Sequence, residues 1–99
     1  MSYRLQIMPS AETDLADAWA WYEAQRDGLG DDLLFCVDAA LAYVERMPLA
    51  PAKVYRDARR AMVRRFPYAV IYRVVGDTIQ VLAFAHASRD ARVWMQRVE

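Results

Sequence analysis

The chain has 99 residues, 57% of them hydrophobic, and its 13 basic and 13 acidic side chains give a formal net charge of zero. This length supports one hydrophobic core, so we expect a single domain over residues 1–99. No apolar run approaches the roughly 20 residues of a transmembrane helix, and no secretory signal pattern is present, so we expect a cytoplasmic protein without membrane contact.

The first residues predict a strand followed by a helix. Alternating apolar side chains over residues 3–7 indicate a short strand that ends at Pro9. Apolar residues at the helical period then predict a helix over residues 10–26, with Ser10 as its N-cap.

A second helix is expected after a four-residue turn over residues 27–30, which contains two glycines. Apolar residues repeat every three or four positions from Asp31 onward, and Pro48 forbids continuation of the helix. The two helices should therefore form a hairpin.

The second half of the sequence predicts a sheet, because its apolar residues alternate with arginines and other polar residues. The expected strands cover residues 53–56, 60–66, 68–75 and 78–85. Gly76-Asp77 between the last two predicts a type II′ hairpin turn. Apolar residues at helical spacing predict a short C-terminal helix over residues 90–98. The whole order indicates an α+β fold: an N-terminal strand, a helical hairpin, an antiparallel three- to four-stranded sheet and a short C-terminal helix.

Charge is distributed unevenly along the chain. Residues 1–52 carry three basic and nine acidic side chains, a net charge of −6, whereas residues 53–99 carry ten basic and four acidic ones, a net charge of +6. This asymmetry indicates an anionic partner for the basic half, either nucleic acid or an acidic protein segment. The alternative is that the two halves only stabilise each other.

Cys36 is the single cysteine and His86 the single histidine. An internal disulfide is therefore impossible, and metal sites built on paired cysteines or histidines are excluded. The apolar neighbours of Cys36 predict a buried thiol. We expect no metal and no other cofactor.

Several segments of the chain resemble toxins of the RelE/ParE superfamily. In the second half these are RRFPYAVIYRV (residues 64–74), IQVLAFAH (79–86) and RDARVW (89–94), and in the first half they are Ala11, Asp14, Leu15, Tyr22 and the turn at Gly30. The resemblance covers nearly the whole chain and lies closer to ParE than to RelE. It implies the toxin of a type II toxin–antitoxin module, held inactive by a cognate antitoxin.

The superfamily includes two target classes. RelE-like members cleave messenger RNA on the ribosome, whereas ParE-like members inhibit DNA gyrase and are not nucleases. Metal-independent RNA cleavage needs a general base, cationic groups on the phosphate and a general acid. The candidates for these roles are Arg65, Arg73, His86 and Arg89. Lys53 is the only lysine and no glutamate lies between Glu45 and Glu99. The sequence therefore offers few side chains that could act as the general base or the general acid.

A sequence pI of about 6.6 is low for a protein that binds many ribosomal phosphates. The sequence therefore favours a gyrase inhibitor without enzymatic activity. A ribosome-dependent endoribonuclease acting on mRNA is the alternative, and a non-toxic binding module of the same fold is a second alternative.

Exposed cationic and aromatic residues are the candidate partner contacts. For the antitoxin we expect contacts at Arg56, Arg59, Arg60, Arg64 and Trp21. For the target we expect contacts at Arg89, Arg92, Trp94 and Arg97.

Overall fold

A computed structural model describes residues 2–98 as five strands and three helices. In chain order they are β1 (Arg4–Ile7), α1 (Pro9–Gln25), α2 (Leu29–Arg46), β2 (Lys53–Tyr55), β3 (Ala58–Met62), β4 (Tyr68–Val75), β5 (Thr78–His86) and α3 (Arg92–Met95). The sheet order is β1-β5-β4-β3-β2, with β1 parallel to β5 and the other neighbours antiparallel. The predicted α+β fold is confirmed. No helix within residues 2–98 is apolar over enough of its length to span a bilayer.

Both helices of the hairpin begin earlier than predicted. Met8 is the N-cap of α1 and Pro9 its first residue, so the predicted cap at Ser10 is wrong. Proline suits this position because its missing N–H would have no partner there. Helix α2 begins at Leu29, after Gly28 in a left-handed conformation with φ of 88°, so the turn is shorter than the predicted 27–30.

Close packing joins the two helices at their turn. A Cβ atom on Gly30 would lie 2.7 Å from Nε1 of Trp19, so only glycine fits there without a shift. The Trp19 ring nitrogen donates a hydrogen bond to Asp31 at 3.1 Å. The carboxylate of Glu23 accepts hydrogen bonds from the N–H groups of Gly28 and Gly30 at 2.9 and 3.0 Å, which satisfies two amides of the first turn of α2.

The strand predicted over residues 60–66 is wrong at both ends, because β3 covers Ala58–Met62. Arg65 has a φ of 71°, a left-handed conformation that a strand cannot contain. Phe66 follows it outside the sheet and packs against the Tyr22 ring of α1, with the ring centroids 5.0 Å apart. The loop therefore ties the sheet to the helical hairpin.

The hairpin of β4 and β5 confirms the strongest turn signal of the sequence. Val75 pairs with Thr78, and Gly76 has the positive φ of 62° that the first position of a type II′ turn requires. A β-bulge lies further along, where Tyr72 pairs with Val81 and Ile71 with Ala83, so Leu82 is the extra residue. The bulge reverses which residues of β5 face each side of the sheet.

Two apolar clusters cover the two faces of the sheet. The larger cluster packs the helices on one face and includes Cys36, whose predicted burial is confirmed at 8% exposed. The smaller cluster covers part of the opposite face and contains Trp94 and Val98. Helix α3 itself spans only Arg92–Met95, so the helix predicted over residues 90–98 is correct in place but too long.

Tyr72 should make stability depend on pH in the alkaline range. Its side chain is fully buried, and its hydroxyl donates a hydrogen bond to the carbonyl of Pro48 at 2.7 Å. Burial raises the pKa of this hydroxyl to about 12. Because the ordinary pKa is about 10, the unfolded chain loses the proton first, so this contribution is complete below about pH 10 and is lost as the pH rises to about 12.

We expect the Tyr72→Phe variant to lose about 1 to 2 kcal/mol at pH 7, because the Pro48 carbonyl loses its donor. Between pH 9 and pH 12 the wild type should lose about 2 to 3 kcal/mol relative to the variant, since only the wild type loses stability through Tyr72 ionisation. The deficit should therefore disappear, and the variant should become the more stable protein at about pH 12. Urea unfolding of both proteins across this range measures the difference. A difference independent of pH would contradict the assignment.

Candidate functional site

A groove of about 570 Å³ runs between α1 and the chain that follows β5. Its floor is the end of β5, from Ala83 to His86. One wall is formed by α1 and includes Trp21, and the other is formed by residues 88–97 and includes Val93. The lining of this groove combines charged, aromatic and backbone groups.

The groove exists because β1 is shorter than β5. The last ladder bond between them runs from the N–H of Met8 to the carbonyl of Val81 at 3.0 Å, and α1 then begins at Pro9. Beyond that point β5 has no strand on this side. The bulge at Leu82 follows directly and changes the direction of the β5 backbone over residues 83–86.

Asp14 and Arg97 occupy the start of the open edge. Asp14 accepts a hydrogen bond from the N–H of Phe84 at 3.1 Å, and Arg97 donates one to the carbonyl of Leu82 at 3.0 Å. The two side chains pair with each other at 2.6 Å and are each about three-quarters buried. The pair therefore satisfies backbone groups that a neighbouring strand would otherwise satisfy, and it fastens the C-terminal segment to α1.

His86 lies where β5 ends, and its ring is held by Ser88. The N–H of Ser88 donates to Nδ1 of His86 at 3.0 Å, and the Ser88 hydroxyl lies 2.7 Å from the same nitrogen. Since a backbone N–H can only donate, Nδ1 is an acceptor and the neutral ring carries its proton on Nε2.

Tyr68 packs edge-on against His86, with ring centroids 5.0 Å apart. Burial is the main cause that raises the pKa of the Tyr68 hydroxyl above its ordinary value, and the positive charge of Arg89 acts in the opposite direction. The hydroxyl is therefore protonated at neutral pH. It can donate a hydrogen bond but cannot act there as a general base.

The four candidate nuclease residues do not form one cluster. His86 and Arg89 line the groove. Arg65 lies near α2, where it approaches Asp32 at 3.9 Å. Arg73 donates to Gln80 at 3.1 Å and is five residues along β4 from Tyr68, which places it roughly 16 Å from the His86 end of the hairpin.

The predicted antitoxin contacts fall into two places. Arg56, Arg60 and Arg64 are exposed on and around β2 and β3. Arg59 lies beside them but donates to the carbonyls of Leu49 and Pro51 at 3.0 and 2.7 Å, so it holds the loop before β2. Trp21 is 59% exposed and lies in the groove, on the wall formed by α1.

The predicted target contacts have different environments. Trp94 is 9% exposed and packs into the smaller cluster, and Arg97 pairs with Asp14, so each has a structural role beside the groove that it lines. Arg92 is exposed and pairs with Asp90 at 2.7 Å; hydrogen bonds from Arg92 lower the pKa of that carboxyl. Arg89 is exposed, and none of the ion pairs found in residues 2–98 includes it.

Sequence patterns do not identify Asp14 or the backbone of Phe84 as parts of the site. Asp14 reads as an ordinary acidic residue near a helix N-terminus, and its partner Arg97 lies 83 residues away. No periodicity reveals the bulge that turns the Phe84 N–H outward. In the described part of the chain, no group of three or more His, Cys, Asp or Glu side chains is arranged to hold a metal ion.

Comparison with known proteins places this fold and sequence among bacterial toxins. Residues 5–91 match the family described as ParE toxin of type II toxin-antitoxin system, parDE. The chain is 31% identical to Toxin ParE2 of Mycobacterium tuberculosis over 91 residues, which covers 91% of this chain and 87% of that protein.

Two solved structures have the same fold. A chain of the chromosomal ParDE TA system from P. aeruginosa gives a TM-score of 0.66 at 20% identity, covering 88% of this chain and 98% of that one. A chain of the toxin-antitoxin complex RelBE2 from Mycobacterium tuberculosis gives a TM-score of 0.59 at 22% identity. The match covers 87% of this chain and 99% of that one.

Proposed function

We propose that this chain, which belongs to the ParE toxin family of type II toxin–antitoxin systems, acts in the cytoplasm by inhibiting DNA gyrase and is kept inactive by a cognate antitoxin. The resemblance noted in the sequence to the RelE/ParE superfamily is confirmed by the family match and by the two related folds. The choice of gyrase over ribosome-bound mRNA is the part of the proposal that needs its own support.

The main support for gyrase inhibition over mRNA cleavage is that the candidate nuclease residues do not lie together. A nuclease needs its base, acid and phosphate-binding groups around one scissile bond. Here His86 and Arg89 line the groove, whereas Arg65 approaches Asp32 of α2 and Arg73 donates to Gln80 further along the hairpin. The cationic residues therefore suit recognition of a protein surface better than cleavage of RNA.

An antitoxin partner is supported by the names of the related structures, which are a ParDE system and a RelBE2 complex. The exposed arginines at positions 56, 60 and 64 provide a basic surface for acidic side chains of such a partner, while Trp21 adds an aromatic contact in the groove. We propose Arg89 and Arg92 as the contacts with the target.

The test is a supercoiling assay with purified gyrase, relaxed plasmid and this chain. We expect inhibition that the antitoxin abolishes when it is added at an equimolar amount. A parallel translation reaction with a defined mRNA reports cleavage on the ribosome. Cleavage without gyrase inhibition would replace the proposal with the endoribonuclease alternative, and inactivity in both assays together with harmless expression would indicate a non-toxic binding module.

A further inference from the structure

The end of β5 presents two backbone groups to the groove. The N–H of Ala87 donates to the carbonyl of Pro67 at 2.7 Å, and the N–H of Val63 donates to that of Tyr68 at 2.9 Å. In this pattern Tyr68 and His86 form a non-hydrogen-bonded pair of the antiparallel ladder. The N–H and C=O groups of each residue therefore point away from the other strand. The N–H of His86 therefore faces the groove.

Phe84 has the same orientation two residues earlier, as its bond to Asp14 shows. Its N–H is taken by Asp14, and the carbonyl of His86 accepts from the N–H of Arg89 at 3.1 Å. What remains facing the groove is one acceptor and one donor: the carbonyl of Phe84 and the N–H of His86.

One residue of an incoming strand can satisfy both groups if it runs parallel to β5. Its N–H would donate to the carbonyl of Phe84, and its C=O would accept from the N–H of His86. The pairing of β1 with β5 is already parallel, from the Arg4 N–H bonded to Asp77 to the Met8 N–H bonded to Val81. An added segment would continue the line that β1 leaves at Pro9.

The walls define the side chains of such a segment. Trp21 and Val93 face the groove from opposite walls with 59% and 58% of their surfaces exposed, which suits an apolar side chain between them. Because a parallel strand reaches the His86 end last, its later residues would lie near the unpaired Arg89. Asp17 lies one helical turn before Trp21 and disfavours an acidic residue at the entrance.

We propose that an extended segment of the antitoxin binds in this groove as an added strand parallel to β5, with an apolar residue between Trp21 and Val93 followed by an acidic residue at Arg89. The inference rests on the proposed function, because it assigns the occupant to the antitoxin. Strand addition gives affinity through main-chain hydrogen bonds and selectivity through the flanking side chains.

A proline at position 86 tests the backbone directly. His86→Pro removes the N–H that faces the groove, while the β4 ladder does not use that N–H. His86→Ala is the matched control, because it removes the same ring and keeps the N–H. In calorimetric titrations with the full-length antitoxin, we expect His86→Pro to bind about tenfold more weakly than His86→Ala.

Amide hydrogen exchange of the wild type provides a second readout that needs no variant. The His86 amide should exchange more slowly in the antitoxin complex than in the free chain. Equal affinities of the two variants, or a His86 amide that the antitoxin leaves unprotected, would overturn the inference while the proposed function stands. Protection by gyrase alone would show that the occupant is wrong, and a wild type that binds no antitoxin would remove both proposals.

Discussion

A chain ending at His86 is expected not to fold. The deleted segment contains Trp94 and Val98, which are 9% and 7% exposed and pack in the smaller cluster with Ile71 and Leu82. The single substitution Trp94→Ala should cost about 3 to 5 kcal/mol of unfolding free energy, because it removes a large buried ring. A small domain has only about 5 to 15 kcal/mol in total.

Urea unfolding of full-length variants measures this effect. Trp94→Phe keeps most of the apolar ring. It should therefore lose less than half of the unfolding free energy that Trp94→Ala loses. Val93→Ala is the control, because Val93 is exposed beside Trp94 and should change stability by less than about 0.5 kcal/mol. A cost below about 1 kcal/mol for Trp94→Ala would show that the C-terminal segment is not part of the core.

This result also governs how toxicity is mapped. Loss of activity on truncation after His86 would report unfolding as much as loss of a contact with the proposed target. Arg89→Ala and Arg92→Ala are the better probes, because both side chains are exposed and neither belongs to an apolar cluster.

The Asp14–Arg97 pair is expected to show strong energetic coupling. Arg97→Met leaves the Asp14 carboxylate and the Leu82 carbonyl without their shared donor, and should cost about 2 to 4 kcal/mol. Asp14→Leu removes the acceptor of the Phe84 N–H and should cost a similar amount. The double variant should be less unstable than the sum of both, with a coupling of about 1 to 3 kcal/mol.

The exposed pair of Asp90 and Arg92 is the matched control for this cycle. Its N–O distance of 2.7 Å is almost the same, but its side chains are 51% and 83% exposed. Solvent screening should leave its coupling clearly smaller than that of the Asp14–Arg97 pair. Additive costs at Asp14 and Arg97 would contradict the role of that pair in holding the C-terminal segment.

Local signals in the sequence were sufficient for most of the fold. Gly76-Asp77 between two apolar runs gives the β4–β5 hairpin, because the turn needs a positive φ that glycine tolerates. The start of α1 was misplaced because Ser10 is a good cap by type, whereas Pro9 fits the first helical position. β3 ends at Met62, and Arg65 beyond it has a left-handed conformation that its side chain does not reveal.

The groove was harder to predict, since it depends on contacts between distant parts of the chain. The run of arginines in the second half suggested one basic face, yet Arg59 and Arg97 are used to hold loops and backbone carbonyls. Trp21 is exposed, as a candidate partner contact must be, and its contact with the antitoxin stays a prediction. The open edge of β5 follows from the length of β1, which only the assembled sheet defines.

The position of β1 has a consequence for the order of folding. Its partner β5 lies 74 residues further along the chain, measured from Arg4 to Thr78. During synthesis β1 therefore stays without its neighbour until almost the entire chain has been made, and the groove has no floor before then. A growing chain released early would lack the groove proposed here for the antitoxin strand, so docking of that strand is expected only after β5 has been translated.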